Sequence, residues 1–415
     1  MQTADFMSRS PPPHLLTLVL VTSLAAMNMN IFLPALPAIA SYFNADYAVV
    51  QLAISGYLAV TALVQLFIGP LSDRYGRRPI LLAGIAVFLL ATILLLLAPT
   101  IELFLAARML QASVVAGLVL PRVIIRDVVD TNEAASRIGY VTMGMSVVPM
   151  AAPALGGFLS GQFGWQSTFV FEFIFSVGVF ALCWADVGET NAHRSKNLLR
   201  QFSSYPELFR SRRFWGYALT ASFSSGAFYS FLGGAPYVAT VVLGMSTEAI
   251  GAYFAIIAVG YLIGNYFSGR LSRQVGVTRM MVTGCIIASL GMLLTLVLFL
   301  LGMVHPLAFF GPTFFVGMGN GVTLPSANAG MVSVRPHLAG SASGLGGTLM
   351  IGGGALLSSL VGALLTPESG IYPLIFIMMA TTLAGLVSTA YVAHVDRLVA
   401  TEESSAGELG DQPES

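Results

Sequence analysis

The chain has 415 residues, 19 basic and 19 acidic side chains, and 9% charged residues against 56% hydrophobic ones. Soluble domains carry roughly 25% charge. At a mean hydropathy of +0.82 a soluble fold could not hide this much apolar surface, so lipid must be the solvent for much of it, and the zero net charge gives no electrostatic reason for a nucleic-acid partner.

The opening MQTADFMSRSPPPH lacks a signal-peptide pattern, and the apolar run after it is too long for a cleaved leader. It is expected to be retained as a helix. A membrane-crossing helix needs about 20 mostly apolar residues. Twelve stretches qualify: 15–41, 47–70, 79–99, 101–125, 137–160, 166–186, 213–241, 248–270, 279–302, 305–331, 340–365 and 371–394. Backbone groups in lipid must be satisfied within the segment, so these are helices. The longest polar loop, 188–212, separates the sixth from the seventh and carries Arg194, Lys196, Arg200, Arg210 and Arg212. The tail 395–415 is acidic and rich in Ser and Gly, and is expected to be disordered. Cys183 and Cys285 lie inside apolar runs, which argues against a disulfide or a metal site.

The basic residues test the count of twelve. Arg108 and Arg122 fall within the fourth span, and every other Lys and Arg falls on the side that holds both termini. Positive residues stay in the cytoplasm, so both termini are expected there. Trp165, Trp184 and Trp215 fall at the expected water boundaries, where indoles prefer to sit.

A short basic stretch after the second span, GPLSDRYGRRPILLAG at 69–84, returns weakly as GRLSRQVGVTRMMVTG at 269–284. Gly69, Leu71, Ser72, Gly76 and Gly84 match Gly269, Leu271, Ser272, Gly276 and Gly284. A loop recurring at one place in two halves marks an internal duplication in parallel orientation. The expected domains are therefore a six-helix bundle over 1–187, a cytoplasmic linker over 188–212, a second bundle over 213–394 and the tail.

The stretch from Gly69 resembles the loop signature of the major facilitator superfamily, G-x-L-a-D-r-x-G-r-[KR], which joins the second and third helices of those transporters. Gly69, Leu71, Asp73, Arg74, Gly76, Arg77 and Arg78 fill it. RMLQASVVAG at 108–117 resembles the family's R-x-x-Q-G pattern in its fourth helix. GMSVVPMAAPALGG at 144–157 resembles the antiporter signature of its fifth, with Pro149 in the run and Pro153, Gly156 and Gly157 fitting the final P-x-x-G-G, though Ala152 stands where a glycine is expected. IFLPALPAIA at 31–40 and NAGMVSVRPHLAGSASGLGG at 328–347 are similar to the bicyclomycin and chloramphenicol-resistance group of drug:proton antiporters.

Arg108 is the sharpest single residue, because a guanidinium about ten residues into a membrane helix is costly. Gln111 lies one turn on. The resemblance implies a place for Arg108 in the central cavity and in proton or substrate coupling; otherwise it is a hydrogen-bond hub for broken helices. Glu172 is the one carboxylate deep in a span, roughly 10 Å inside the outer boundary set by Trp165. It reads either as a proton carrier or as a hydrated, incidental acid. Asn28 and Asn30 sit midway along the first span. Pro34 cannot donate to the carbonyl of Asn30, so a kink is expected there. The resemblance implies an acid in this region, and Asn30 stands in its place, unless both amides are polar glue between helices. Asp73, Arg77 and Asp127 form a cytoplasmic charge cluster; the resemblance implies a latch between halves, and the alternative is solvated topogenic charge. Tyr57, Tyr229, Phe231, Tyr237 and Tyr253 are candidates for lining an apolar drug cavity, or ordinary packing.

The expected protein is an all-α integral membrane transporter of twelve helices in two pseudo-symmetric six-helix bundles. It would work as a monomer in the cytoplasmic membrane, exporting amphipathic drugs such as phenicols in exchange for protons. A dedicated carrier of one metabolite is the alternative. No nucleotide-binding loop or metal cluster appears in the sequence, so no enzyme activity, cofactor or metal is expected. The topology is directly testable: a reporter fused at residue 200 should read as cytoplasmic, and a periplasmic reading would end the positive-inside argument.

Overall fold

The computed structural model describes residues 13–129, 131–191, 205–335 and 338–410, and among them it is helical without strands. Most of the expected linker, with Arg194, Lys196 and Arg200, lies outside the described residues. Ten helices are long and apolar enough to cross a membrane. Thr131–Phe163 and Arg212–Tyr237 complete the set of twelve. The seventh, Arg212–Tyr237, is rich in Ser, Thr and Gly, and its buried positions run along most of its length. A helix wrapped by other helices need not be apolar, because protein rather than lipid surrounds it.

Two spans are broken. The first runs Leu15–Asn30, turns, passes through a 3-10 segment Leu33–Ala35 and resumes as Leu36–Phe43. The break falls where Pro34 removes a donor. The fourth runs Ile101–Leu110, tightens to 3-10 over Gln111–Val115, and continues as Ala116–Val128. The remaining spans are Tyr47–Tyr75 for the second, Arg77–Leu96 for the third and Gln166–Asp186 for the sixth. In the second half they are Thr247–Val275, Val277–Leu300, Pro306–Ser333, Ala339–Leu364 and Tyr372–Gly410. The last helix corrects an expectation: the tail expected to be disordered from 395 continues as helix to Gly410. Ala, Glu and Leu in ATEESSAGEL favour helix, and extending an existing helix needs no new nucleus. Residues 411–415 lie outside the described ones.

In the first half, the first span packs on the fifth and sixth, and the third on the fourth and sixth. In the second half, the tenth span packs on the eighth and ninth, and the seventh on the eleventh and twelfth. The main contacts between halves pair the fifth span with the eighth and the second with the eleventh. The buried core is divided unequally. One cluster contains Phe32, Phe104 and Phe169 together with Phe231, Phe309 and Phe310, so it belongs to both halves. Its members lie at the span ends away from the basic loops. Towards the basic loops each half has a core of its own, one with Leu81, Phe88 and Ile124 and the other with Phe214, Met281 and Met331. The two halves are thus fused at one end and separately packed at the other.

Close approach between helices depends on specific glycines. A Cβ built on Gly156 would lie 1.6 Å from the carbonyl oxygen of Ile31, and one on Gly157 would lie 2.8 Å from that of Thr247. Gly156→Ala should therefore cost about 1–3 kcal/mol and lower the melting temperature of the detergent-solubilised protein. Gly178→Ala, where nothing lies within 4 Å of the added methyl, should not. Equal melting of the two variants would refute the close approach.

Candidate functional site

Arg108 sits in the last turn before the 3-10 segment of the fourth span and is wholly buried. Its Nε donates to the Ala53 carbonyl at 3.2 Å, its Nη2 to the Asn28 carbonyl at 2.7 Å, and its Nη1 to Asn28 Oδ1 at 2.5 Å and to Gln111 Oε1 at 2.6 Å. The guanidinium lies over the rings of Phe32 and Tyr57, with Cζ 4.2 and 4.3 Å from their centroids. Charge-assisted bonds and ring contacts of this kind replace the hydration that the membrane interior withholds. The network extends: Asn28 Nδ2 donates to Tyr57 Oη at 3.0 Å, Gln111 Nε2 to Thr92 Oγ1 at 2.8 Å, and Thr92 Oγ1 to the Phe88 carbonyl at 2.8 Å. One cation thereby ties the first four spans together.

The local backbone makes this possible. The ladder of the first span ends with Ile31 N donating to the Met27 carbonyl at 3.0 Å. The next carbonyl, that of Asn28, is turned over to Arg108. Asn30 takes no part; its Nδ2 donates back to the Ala26 carbonyl at 2.8 Å. Asn28 alone of the two amides touches the arginine.

Glu172 is also wholly buried, one turn after Phe169, whose ring lies 5.9 Å from that of Phe32. Among the described residues neither carboxylate oxygen has a hydrogen-bond partner. The same half-bundle thus holds a satisfied cation and an unsatisfied acid, both out of reach of bulk water. No hydrogen bond joins the acid to Arg108.

The aromatic candidates all belong to, or pack against, the core cluster that the two halves share. Tyr57 is spent on Arg108. Phe231 packs against Phe254, Phe309 and Phe310, and Tyr253 against Phe310. Tyr237 faces Tyr47 with ring centroids 4.9 Å apart, at the end away from the basic loops. Tyr229 is half-buried and lies where a Cβ on Gly354 would be.

The basic loop gathers a second constellation. Arg77 bonds Asp73, donates from Nε to Asp127 Oδ2 at 3.1 Å and from Nη1 to Ser72 Oγ at 2.6 Å. Its backbone N donates to Glu189 Oε1 at 2.9 Å, and Asn191 Nδ2 donates to the Asp73 carbonyl at 2.8 Å. Gly76 has φ +108°, and a Cβ there would lie 2.1 Å from Glu189 Oε2, so only glycine fits. Arg78 Nη2 donates to the Trp184 carbonyl at 2.9 Å, with the guanidinium over the indole, and Arg74 lies over Tyr75. Gly69 has open space around it. Among the described residues the partners of Arg77 precede residue 192, and they join the second, third and fourth spans and the segment after the sixth. The second half uses other residues: Arg213 Nε donates to Asp396 Oδ1 at 2.7 Å and Tyr217 Oη to Asp396 Oδ2 at 2.6 Å.

On the fifth span, Pro153 and Gly157 meet Gly251 and Thr247 of the eighth, and Gly156 meets the break of the first. The side chain of Pro149 lies outside the described residues. Sequence reasoning passed over Phe32, Thr92, Ser72 and Glu189. A lone threonine in an apolar run was the available sign for Thr92, and the recurrence of Ser72 as Ser272 was the sign for Ser72; nothing local marks the other two.

A family model described as Major Facilitator Superfamily matches residues 18–358. Among curated proteins, an uncharacterized MFS-type transporter, YdgK, of Bacillus subtilis is 31% identical, over 87% of this chain and 90% of that one. A chloramphenicol resistance protein of Pseudomonas aeruginosa is 30% identical, over 88% and 87%. Multidrug resistance protein D of Escherichia coli is 29% identical, over 86% and 89%. Among solved structures, a bacterial homolog of the human lysosomal transporter Spinster, inward-facing and occupied, superposes with a TM-score of 0.74 at 18% identity, covering 94% of this chain and 98% of that one. A peptide transporter POT in complex with sulfate gives 0.75 at 14% identity, covering 92% and 95%.

Asn28→Ala removes an acceptor from a buried guanidinium and a donor from Tyr57. It should cost about 2–3 kcal/mol, read as a lower melting temperature in detergent. The double variant Asn28→Ala/Arg108→Ala should cost less than the sum of its singles. Strict additivity would show that the two residues do not act as one unit.

Proposed function

The chain belongs to the major facilitator superfamily, and from that premise we propose that it exports amphipathic drugs, phenicol-type antibiotics among them, across the cytoplasmic membrane of a bacterial cell in exchange for protons. Two six-helix halves, 1–187 and 213–394, rock about a site near the bilayer midplane. The protein acts as a monomer with both termini in the cytoplasm, and it transforms no substrate chemically. The names of the resistance proteins it is similar to support drug as the cargo.

The observation that carries the proton side is the pairing of a satisfied Arg108 with an unsatisfied Glu172. A bare carboxylate buried in apolar surroundings is costly. Arg108 commits four of its five N–H donors to acceptors and lies against two rings, and none of these bonds goes to Glu172. Hydration of the cavity, or entry of a drug, alters the cost of charge at Glu172 and hence whether it carries a proton. The guanidinium cannot do this itself, since it keeps its proton at all working pH values. Its role is to hold the first four spans in register and to set the potential at the acid. Asn28, Gln111 and Tyr57 fix the arginine, and Tyr229, Tyr253 and Asn30 stand around the path of the cargo. The loop cluster of Asp73, Arg74, Gly76, Arg77, Arg78 and Asp127, with Gly69 before it, acts as the conformational latch between the halves at their cytoplasmic ends, its parts held in place within the first half. Pro149, Pro153, Gly156 and Gly157 let the fifth span bend and pack closely.

Drug-driven proton release from the purified protein in detergent tests this reading over a panel of compounds. Wild type should release protons on adding a phenicol. Glu172→Gln should bind the drug poorly, release none and confer no resistance. Retention of both release and resistance would move the coupling site elsewhere. Arg108→Ala should abolish transport, and Arg108→Lys should not restore it, because a point charge cannot reach four acceptors that a planar fork reaches. Wild-type flux in Arg108→Ala would reduce the arginine to a passenger.

A further inference from the structure

The halves share their core at the end away from the basic loops, and the Gln51 amide stands at the seam there. Gln51 lies one turn into the second span and is 1% exposed. Its Nε2 donates to both the carbonyl and the hydroxyl of Ser358 on the eleventh span, each at 2.6 Å. Its own hydroxyl neighbour Ser55 donates to Oε1 at 3.4 Å. The amide fills space that two glycines of the other half leave open. A Cβ on Gly233 of the seventh span would lie 2.7 Å from Gln51 Nε2, and one on Gly362 of the eleventh would lie 2.7 Å from Oε1. One turn earlier, Tyr47 Oη donates to the Gly233 carbonyl at 3.1 Å. A single side chain of the first half is thus gripped by two helices of the second.

We infer that Gln51 is a positioning residue for transport, the clasp that holds the two halves closed at the end away from the basic loops, and that its release sets how fast that end opens. A hydrogen-bonded amide suits the task better than an apolar plug. Closed, it must find these partners, because a buried amide without them is penalised. Open, water takes over the same bonds at small net cost. The contact is therefore specific in one state and readily given up for the other. An apolar side chain of the same size would hold the seam without registering it. The inference rests on alternating access but on no particular cargo.

The test uses full-length protein in proteoliposomes with Ala239→Cys as reporter. Ala239 is buried in the shared core at the same end, and the native Cys183 and Cys285 are buried elsewhere. A membrane-impermeant maleimide should label the reporter thiol slowly in this parent. Adding Gln51→Ala should raise the rate about fivefold or more, the loss of one net hydrogen bond in the closed state. Gly362→Ala should do the same by evicting the amide, and should add nothing in the Gln51→Ala background. Labelling confined to the reporter thiol, with Cys183 and Cys285 unmodified, separates opening from unfolding. In Gln51→Cys/Ser358→Cys, a short bis-thiosulfonate cross-linker should stop labelling of the reporter, and reduction should restore it. Parent-like labelling in Gln51→Ala, or continued labelling after cross-linking, would overturn the clasp. A protein that labels as expected yet moves no drug would overturn the efflux reading and leave the clasp standing.

Discussion

Solvating one guanidinium where water is scarce is the constraint on which the first half of this molecule is built. Arg108 needs acceptors on several sides, and a membrane helix has none to spare, because each carbonyl is already bonded along its own ladder. The structure supplies them by interrupting the ladders. The first span stops its regular helix just after Asn28, freeing that carbonyl, and Pro34 keeps the chain from closing the gap again. The fourth span tightens to 3-10 directly after the turn that holds Arg108, which brings Gln111 back towards it. Irregular backbone at membrane depth survives only where it is buried in protein, so both breaks lie inside the bundle.

The internal duplication is unequal for a related reason. Asp73 and Arg77 of the first loop correspond to Arg273 and Val277 of the second. The second loop cannot build the same staple, since it has neither the acid nor the arginine. The second half fastens its basic-loop end with Arg213, Tyr217 and Asp396 instead, joining the seventh span to the twelfth. Arg335 and Glu207 also pair nearby, at 2.9 Å, but both are about half exposed, and such pairs contribute little. The two halves share topology and solve the same end-fixing problem with unrelated side chains.

Much of this was legible in the sequence. Hydropathy is a local property, so the spans, the break at Pro34 and the sorting of basic residues to one side could be read directly. Charge in lipid is rare enough that Arg108 and Glu172 stood out on composition alone. The partners of those residues were not legible, because they depend on which face of each helix meets which neighbour. Asn28 lies 80 residues from Arg108, and Gln51 lies 307 from Ser358. The grouping of the aromatic residues was hidden for the same reason: Tyr57, Phe231 and Tyr237, with Tyr229 and Tyr253 packed on them, share one core cluster although they come from three different spans. The tail was misread because acidic and small residues suggest disorder, while the helix before it offers a template that needs no nucleation.

The contact of the fifth span with the eighth differs in kind from that of the second with the eleventh. Pro153, Ala154 and Gly157 meet Thr247 and Gly251 backbone to backbone, with no space for a methyl on either glycine. Most helix pairs interlock by seating ridges of side chains in grooves, and any sliding must lift those ridges out. Around Gly157 and Gly251 no side-chain ridge stands between the two helices. In the exchange between states proposed above, such a contact would serve as a plain bearing, two smooth tracks that turn on each other. Resistance to motion is then left to the opposite seam, and the molecule works as a hinge with a fixed pin on one side and a fastener on the other.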